Sequence, residues 1–266
     1  MTRNGAAQSA DLKNAALRRL QEFISLDDQE LSALENAVTC QRVYRRREPI
    51  LRQGERVTHV YLLIDGWIGS HTEVDGGSYQ LTKVHLPGDI AGLPNIALVE
   101  AASSLLPLTV ATVGLIPLKS LARLFATAQR LALTLFVNAQ QERVMLMDHL
   151  AAVGQTDATQ RVCALLIHFH RRLKLLRPDH RDLIDWPLSQ EHMAQGAGLT
   201  SVHVNRTLRE LTRRGLIERI GKSIRLLDVD AVSELAAFPD RRFVHEPSWL
   251  TSMERSHGRR AAGASG

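Results

Sequence analysis

The sequence predicts an α+β chain in which an N-terminal β-roll, a long helix and a C-terminal winged helix-turn-helix follow one another. Three observations predict it. From Gln41 to about Leu118, short β-branched and aliphatic runs are punctuated by Gly, the pattern of a small barrel or roll. From about Leu118 to Val153 the pattern turns helical, and Leu133, Val137, Gln140, Val144, Met147 and Ala151 recur at alternating spacings of four and three, the seam of a coiled coil. From Pro187 to Asp228, two capped helices flank a glycine turn and lead into a hairpin. The expected units are a flexible N-terminus (1–19), the roll (20–118), a dimerisation helix (119–155), the helix-turn-helix domain (156–236) and a flexible basic tail (237–266).

The elements follow in order. Residues 1 to about 10 read as disordered, Asp11–Ile24 as an amphipathic helix through Leu12, Ala16, Leu20 and Phe23, and Ser25 as the cap of a helix near Asp27–Ala37. Strands are expected at Pro49-Ile50-Leu51 before Gly54, at Val60–Ile64 before Asp65-Gly66, and at Tyr79–Val84 after the turn Asp75-Gly76-Gly77. The helical seam would face its twin in a parallel dimer, with Gln140 a polar residue of the kind that sets register. The competing use of that face is packing on the chain's own roll. Gly154–Asp157 reads as a hinge, with Thr156 or Asp157 capping a helix over Ala158–Leu176.

In the last third, Ser189 caps Gln190–Gln195, whose inward positions are Met193, Ala194 and Ala197, and Gly198 supplies the left-handed residue of the turn. Thr200 caps a second helix with Val204, Leu208 and Leu211 inward and Ser201, Val202, Asn205, Arg206 and Arg209 outward. Asn and Arg make bidentate contacts to adenine and guanine, so double-stranded DNA is the expected partner, with Ser201, Val202, Asn205 and Arg206 reading bases. Ser189, Thr200, His203, Arg209 and Lys222 are the expected phosphate contacts. Leu216–Ile220 and Ser223–Leu227 around Gly221-Lys222 form the wing. Between Pro187 and Asp228 seven basic residues face four acidic ones, a local net charge of +3 that suits a polyanion.

The rest of the composition narrows the field. Cys40 and Cys163 are the two cysteines, too few for a disulfide scaffold, a structural zinc site or a four-thiolate cluster, and both are expected as buried free thiols. The apolar run Leu105–Leu118 is broken by Pro107, Gly114 and Pro117 and is shorter than a membrane span, and the N-terminus has no signal core, so a cytoplasmic chain without membrane association is expected. No HExxH, P-loop, dinucleotide fingerprint or nucleophile-base pairing is present, which argues against an enzyme. His168 and His170, two apart on a helix, lie on different faces and suit no shared metal. Arg45-Arg46-Arg47 reads as a solvated run, with contact to polymerase or DNA backbone as its secondary use.

Several strings together resemble the cyclic-AMP receptor protein and fumarate-nitrate regulator (Crp/Fnr) superfamily, over roughly Leu20–Leu235. They are Gly54-Glu55 with Val60–Gly66, Pro87-Gly88-Asp89-Ile90-Ala91-Gly92, and Gly198-Leu199-Thr200 through Asn205-Arg206-Thr207-Leu208. The resemblance implies a cyclic-nucleotide-binding-like roll and a homodimeric transcription regulator, with RNA polymerase a further partner. Any effector pocket would lie at Gly88, Asp89, Gly92, Leu93, Ser103 and Ser104, closed by Leu146 and Met147 of the dimer helix. Two departures exclude familiar effectors. Leu93 and Ser103 stand where cyclic-nucleotide binders carry Glu and Arg, which leaves a buried phosphodiester without its charge partner. The cysteines of the oxygen-sensing branch are missing. A ligand-independent member, controlled by abundance or by a protein partner, is the nearest alternative; haem, with His71 or His85 as axial ligand, is a weaker one, and no cofactor is expected. Arg206 matches the family's guanine-reading Arg, whereas Val202 replaces the Glu of better-known members.

Overall fold

The computed structural model describes residues 17–74, 78–179, 182–185, 187–236, 241 and 243–249. The expected disorder of residues 1–10, the turn at 75–77 and most of the 237–266 tail lie outside them. Residues 17–20 are helical (α1), and 21–24 are turn and bend, so the helix expected to reach Ile24 stops at Leu20. Phe23 and Ile24 leave the helix to bury against Leu133 and Val137. Asp27, not Ser25, caps α2 (Asp28–Ala37), through a capping box with Glu30.

The roll consists of two antiparallel sheets. One has the order β1 (Cys40–Tyr44), β7 (Ala111–Pro117), β2 (His59–Asp65), β5 (Ile90–Ala91); the other runs β4 (Ser78–His85), β3 (Ile68–Val74), β6 (Ser104–Pro107). Leu63, Val113 and Leu115 of the first sheet share a buried cluster with Ile68 and Leu105 of the second. Gly66 turns β2 into β3 at φ +87, where a Cβ would meet the Val110 carbonyl at 2.2 Å, so no side chain fits. The strand expected at Pro49–Leu51 is reduced to one bridge, Leu51 to Leu105. Cys40 is exposed on the edge strand β1, contrary to the expected burial, while Cys163 is buried and its thiol is pushed up to about 12 by that burial.

The long helical region is two helices, α3 (Leu118–Thr127) and α4 (Gln129–Gln155), broken at Ala128 with φ −116 and ψ 79. The break lets Leu121 and Leu124 on one side, and Leu131 and Leu135 on the other, bury in the same cluster. α4 runs through Gly154, so the expected hinge shrinks to Thr156 and Asp157. Asp157 then caps α5 (Ala158–Leu176) by a capping box with Gln160.

The C-terminal unit comprises α5, β8 (Leu183–Ile184), α6 (Gln190–Ala197), α7 (Ser201–Arg213), β9 (Ile217–Ile220), β10 (Ser223–Leu226) and α8 (Val229–Leu235). β8 (two residues) and α8 (seven residues) escape the sequence pattern because each is too short for a periodicity to repeat often enough to be read. This unit shares its core with the roll. Trp67 stacks on Phe169 at 5.5 Å, and Leu86 and Leu108 join the cluster that holds Val162, Leu166 and Leu208. Beside that seam, Asp89 accepts from Arg19 Nε at 3.3 Å and Arg172 Nη2 at 2.5 Å, tying the start of the chain, the roll and α5 together.

The segment after α8 is not free where it is described. Arg241 donates twice to the Asp148 carboxylate, at 2.6 and 2.5 Å, and Phe243 packs edge-on against Phe23. Glu246 accepts from Ser25 N at 2.7 Å and from Arg130 Nη2 at 2.8 Å. A strap thus returns from the C-terminal unit to the roll side of α4, which corrects the expected flexible tail over residues 241 and 243–246.

Candidate nucleic-acid interface

Local chemistry builds α6 and α7. The Ser189 hydroxyl accepts from His192 N at 3.2 Å, and His192 Nδ1 accepts in return from Ser189 N at 3.3 Å, a reciprocal cap. Gly198 ends α6 at φ +62, and Arg161 of α5 donates to its carbonyl at 3.1 Å. Thr200 Oγ1 accepts from His203 N at 3.3 Å to start α7. Ser189, expected at phosphate, uses an oxygen lone pair as a cap and keeps its hydroxyl proton to donate, whereas Thr200 Oγ1 also meets His203 Nδ1 at 3.1 Å.

α7 divides as its periodicity requires. Val204, Leu208 and Leu211 are buried, joined by Thr207, which the apolar pattern did not pick out because threonine counts as polar. Val202 is 76% exposed, and His203, Arg206 and Arg209 are exposed beside it. Ser201 is half-buried. Asn205 departs from its expected outward position. It lies on the flank between the two faces, half-buried, and its Oδ1 is enclosed with no hydrogen-bond partner among the described residues.

The wing pairs Ile217–Ile220 with Ser223–Leu226 around Gly221-Lys222, with Lys222 exposed at the tip. Of the seven basic residues between Pro187 and Asp228, Arg213 pairs with Glu210 and Arg225 with Glu218. Arg206, Arg209, Arg214, Arg219 and Lys222 make no ion pair among the described residues. An exposed helix flanked by unpaired cations is the electrostatic form of a duplex-binding face.

The profile of the Crp-like helix-turn-helix domain matches residues 160–235, and that of the cyclic nucleotide-binding domain matches residues 41–128. The chain belongs to the Crp/Fnr family. The transcriptional activator protein FnrA of Stutzerimonas stutzeri is 26% identical over 87% of this chain and 94% of its own length. The nitrogen fixation regulation protein FixK of Bradyrhizobium diazoefficiens is 28% identical over 84% of this chain and 93% of its own. The structure of FixK2 from Bradyrhizobium japonicum superposes with a TM-score of 0.66 at 25% identity, covering 74% of this chain and 97% of that one. These Crp/Fnr relatives are transcription regulators rather than enzymes, and a DNA-binding regulatory role follows for this chain. Among the described residues no helix is long and apolar enough to cross a membrane.

Against the family frame, the roll positions expected around an effector are largely committed to structure. Gly88 N donates to the Leu63 carbonyl at 2.8 Å, and Asp89 is fully engaged by Arg19 and Arg172. Gly92 opens a short 3-10 turn, and Leu93 packs on the core cluster beneath α3. Ser104 is buried, its hydroxyl accepting from Gln53 N at 2.9 Å, while Ser103 is half-buried. Leu146 and Met147 are 59% and 58% exposed on α4, so neither closes over the roll within one chain. The histidines have local partners. His85 Nε2 meets Ser70 Oγ at 2.8 Å, His71 Nδ1 meets the Gly69 carbonyl at 3.1 Å, and His170 Nε2 meets Asp182 at 2.7 Å. Burial and the guanidinium groups of Arg172 and Arg19 push His168 down to about 3.

The α4 seam is divided by the structure. Leu133 and Val137 pack on Phe23 and Ile24, so the chain's own N-terminal segment occupies the start of the expected dimer face. Val144 is half-buried; Gln140, Met147 and Ala151 are exposed. The exposed apolar residues are Phe136 (59%), Leu146, Met147 and Leu150 (66%). Phe136, Gln140, Arg143, Met147 and Leu150 also repeat at four and three, on a face turned roughly 60° from the expected one at about 100° per residue. The four-three pattern is thus satisfied twice, and periodicity alone cannot choose between the two faces.

Proposed function

We propose that the protein is a homodimeric, sequence-specific regulator that places α7 of each protomer in the major groove of an inverted repeat. The observation that carries this is the divided α7: hydrocarbon beneath, and Val202, Arg206 and Arg209 presented outward beside unpaired cations. Arg206 reads guanine, Val202 offers apolar contact to a thymine methyl, and Ser201 and Asn205 complete the base-reading set, Asn205 after its amide turns outward. Ser189, Thr200, His203, Arg209 and Lys222 bind phosphate.

The dimer forms along α4 through Phe136, Gln140, Arg143, Met147 and Leu150, with Leu146 beside them, because Phe136, Leu146, Met147 and Leu150 are, among the described residues, the large apolar side chains of α4 left uncovered. Leu133 and Val137 hold that helix against Phe23 and Ile24, with Val144 half-buried and Ala151 exposed beside them. The twofold axis sets the two α7 helices about one DNA turn apart, roughly 34 Å. The roll holds an effector other than cyclic AMP or acts without one, since Leu93 and Ser103 offer no partner to a cyclic phosphate. The setting is the cytoplasm, where RNA polymerase is the further partner.

The test is selection of sites from a random DNA pool with wild type, Val202→Glu and Arg206→Ala. The expected outcome is an inverted repeat whose guanine is lost with Arg206→Ala, and whose neighbouring base shifts with Val202→Glu by about 1–3 kcal/mol of preference. An identical consensus for all three proteins would remove α7 as the reader.

A further inference from the structure

A cleft of 380 Å³ lies between the roll and the first helix of the helix-turn-helix, away from the family's roll pocket. That volume is within the usual range for a small-molecule site. One wall is the loop after β1. Arg47 there has φ +65, a conformation that side chains other than glycine rarely adopt. It is held by Arg47 N donating to the Pro107 carbonyl at 2.9 Å, and by Arg45 N donating to the Glu48 carboxylate at 2.8 Å. The loop thus presents Arg46 and Arg47 to the cleft, and neither makes an ion pair among the described residues.

The opposite wall is α6, with His192 and Glu191 in its first turn, and the floor carries His71, 7% exposed. The two imidazoles stand 6.2 Å apart, centre to centre. His71 spends Nδ1–H on the Gly69 carbonyl, which leaves Nε2 as the atom able to gain a proton. Two guanidiniums and two imidazoles therefore converge on one space, opposed by the single carboxylate of Glu191.

We propose that this cleft binds a small organic dianion, a phosphomonoester or a dicarboxylate, held by Arg46 and Arg47 on the roll side and by His71 and His192 on the other. Such a ligand bridges the roll to α6 at a place where they already touch. Gln195 of α6 accepts from Leu81 N at 3.0 Å and donates to the Tyr79 carbonyl at 3.3 Å. Occupancy adds charge-assisted contacts across that junction, so the ligand fixes the seating of α6, and through it of α7, on the roll.

The protonation states agree. Burial lowers His71, with a further contribution from His192; burial also lowers His192, against Glu191 and together with Arg46 and Arg47. A dianion reverses the sign of the field at the His71 ring, so binding takes up a proton there and tightens as pH falls, while His192 Nδ1 stays the acceptor of the Ser189 cap and its Nε2–H donates to the ligand. Arg46, Arg47, Glu191 and Tyr79 are the other ionisable groups on the cleft.

Calorimetry on the full chain at fixed ionic strength, with inorganic phosphate and succinate as separate probes, tests the site. Saturable binding of phosphate alone assigns a phosphomonoester, succinate alone a dicarboxylate, and both a general dianion site. Arg46→Ala/Arg47→Ala, two exposed positions, is expected to weaken binding by about tenfold or more, as the loss of charge-assisted contacts implies. His71→Gln is expected to abolish the proton uptake seen between buffers of different ionisation enthalpy while Arg46 and Arg47 still bind the probe. No heat from either probe at millimolar concentration overturns the proposal. Unchanged probe binding in the arginine variant, with weaker DNA binding and a shallower salt dependence, overturns it in favour of a DNA-backbone role for the loop.

Discussion

α7 and α4 are both amphipathic helices, yet their sequences disclose their faces to different degrees. Around α7 every position outside Val204, Thr207, Leu208 and Leu211 is polar or charged except Val202, so one orientation satisfies the pattern. Around α4, apolar residues occupy most of the circumference, with Leu131 and Leu135 under the roll, Leu133 and Val137 against Phe23, and Phe136, Leu146 and Leu150 in the open. Periodicity identifies a buried face only when the remainder of the helix is hydrophilic. The undersides differ too. α7 rests on hydrocarbon, whereas α4 also touches a knot of buried charge, through Gln141 Oε1 at 3.2 Å from Arg19.

That contrast is sharpest under acid. Burial alone would raise Asp89, but the guanidiniums of Arg172 and Arg19 overcome it and hold the carboxyl well below the usual carboxylate range. Its contribution to stability is present above the unfolded-state value of about 3.9 and is lost at lower pH. His168, held neutral down to about 3, contributes at pH 7 and loses that contribution progressively as pH falls below about 6.5, because only the unfolded chain then gains the proton. Denaturant unfolding followed from pH 7 to 4 is expected to show falling stability, flattened in His168→Gln. At pH 7, Asp89→Ala is expected to cost about 3–5 kcal/mol by leaving the largely buried Arg172 guanidinium without its carboxylate, while Arg19 keeps Glu22.

Next in size is the hydrocarbon beneath α7. Leu208→Ala is expected to lose about 2–5 kcal/mol in chemical unfolding, against about 0.5 kcal/mol or less for Arg209→Ala on the outer face. Two neighbours on α4 separate its two roles. Phe136→Asp is expected to leave the melting temperature near wild type and to weaken dimerisation by about tenfold or more, whereas Val137→Asp is expected to lower stability by roughly 1–3 kcal/mol. Sedimentation and melting on the same samples read both effects, and an intact dimer in Phe136→Asp would return the interface to the other face. The smallest effect is local: Ser189→Ala removes one cap of α6 and is expected to cost about 1 kcal/mol.

What was legible in the sequence was what local chemistry determines. The capped helices, the glycine turn and the hairpin of residues 187–228 were readable because each signal sits within a few residues of its effect. The two-sheet roll followed from its glycine-punctuated strands. The partners of Asp89 were not readable, since Arg19 and Arg172 lie 70 and 83 residues away and no short-range rule links them. Likewise the contact of Trp67 with Phe169 belongs to the packing of two units, each of which looks self-sufficient when read alone. Asn205 shows the finer limit. Helical spacing placed it on the outer face, but the half-buried flank it occupies is decided by neighbours outside the helix.

The strap that brings Arg241 and Glu246 back to α4 changes what kind of motion the DNA-binding unit can make. A unit joined at one end pivots about a single point and can swing in any direction. This one enters at Thr156–Asp157 beside the end of α4 and is pinned again, beyond α8, to Asp148 and Arg130 on the same helix. Held at both its entrance and its exit, and packed on the roll between them through Trp67 and Phe169, it can be re-aimed only by movements that keep both attachments to α4.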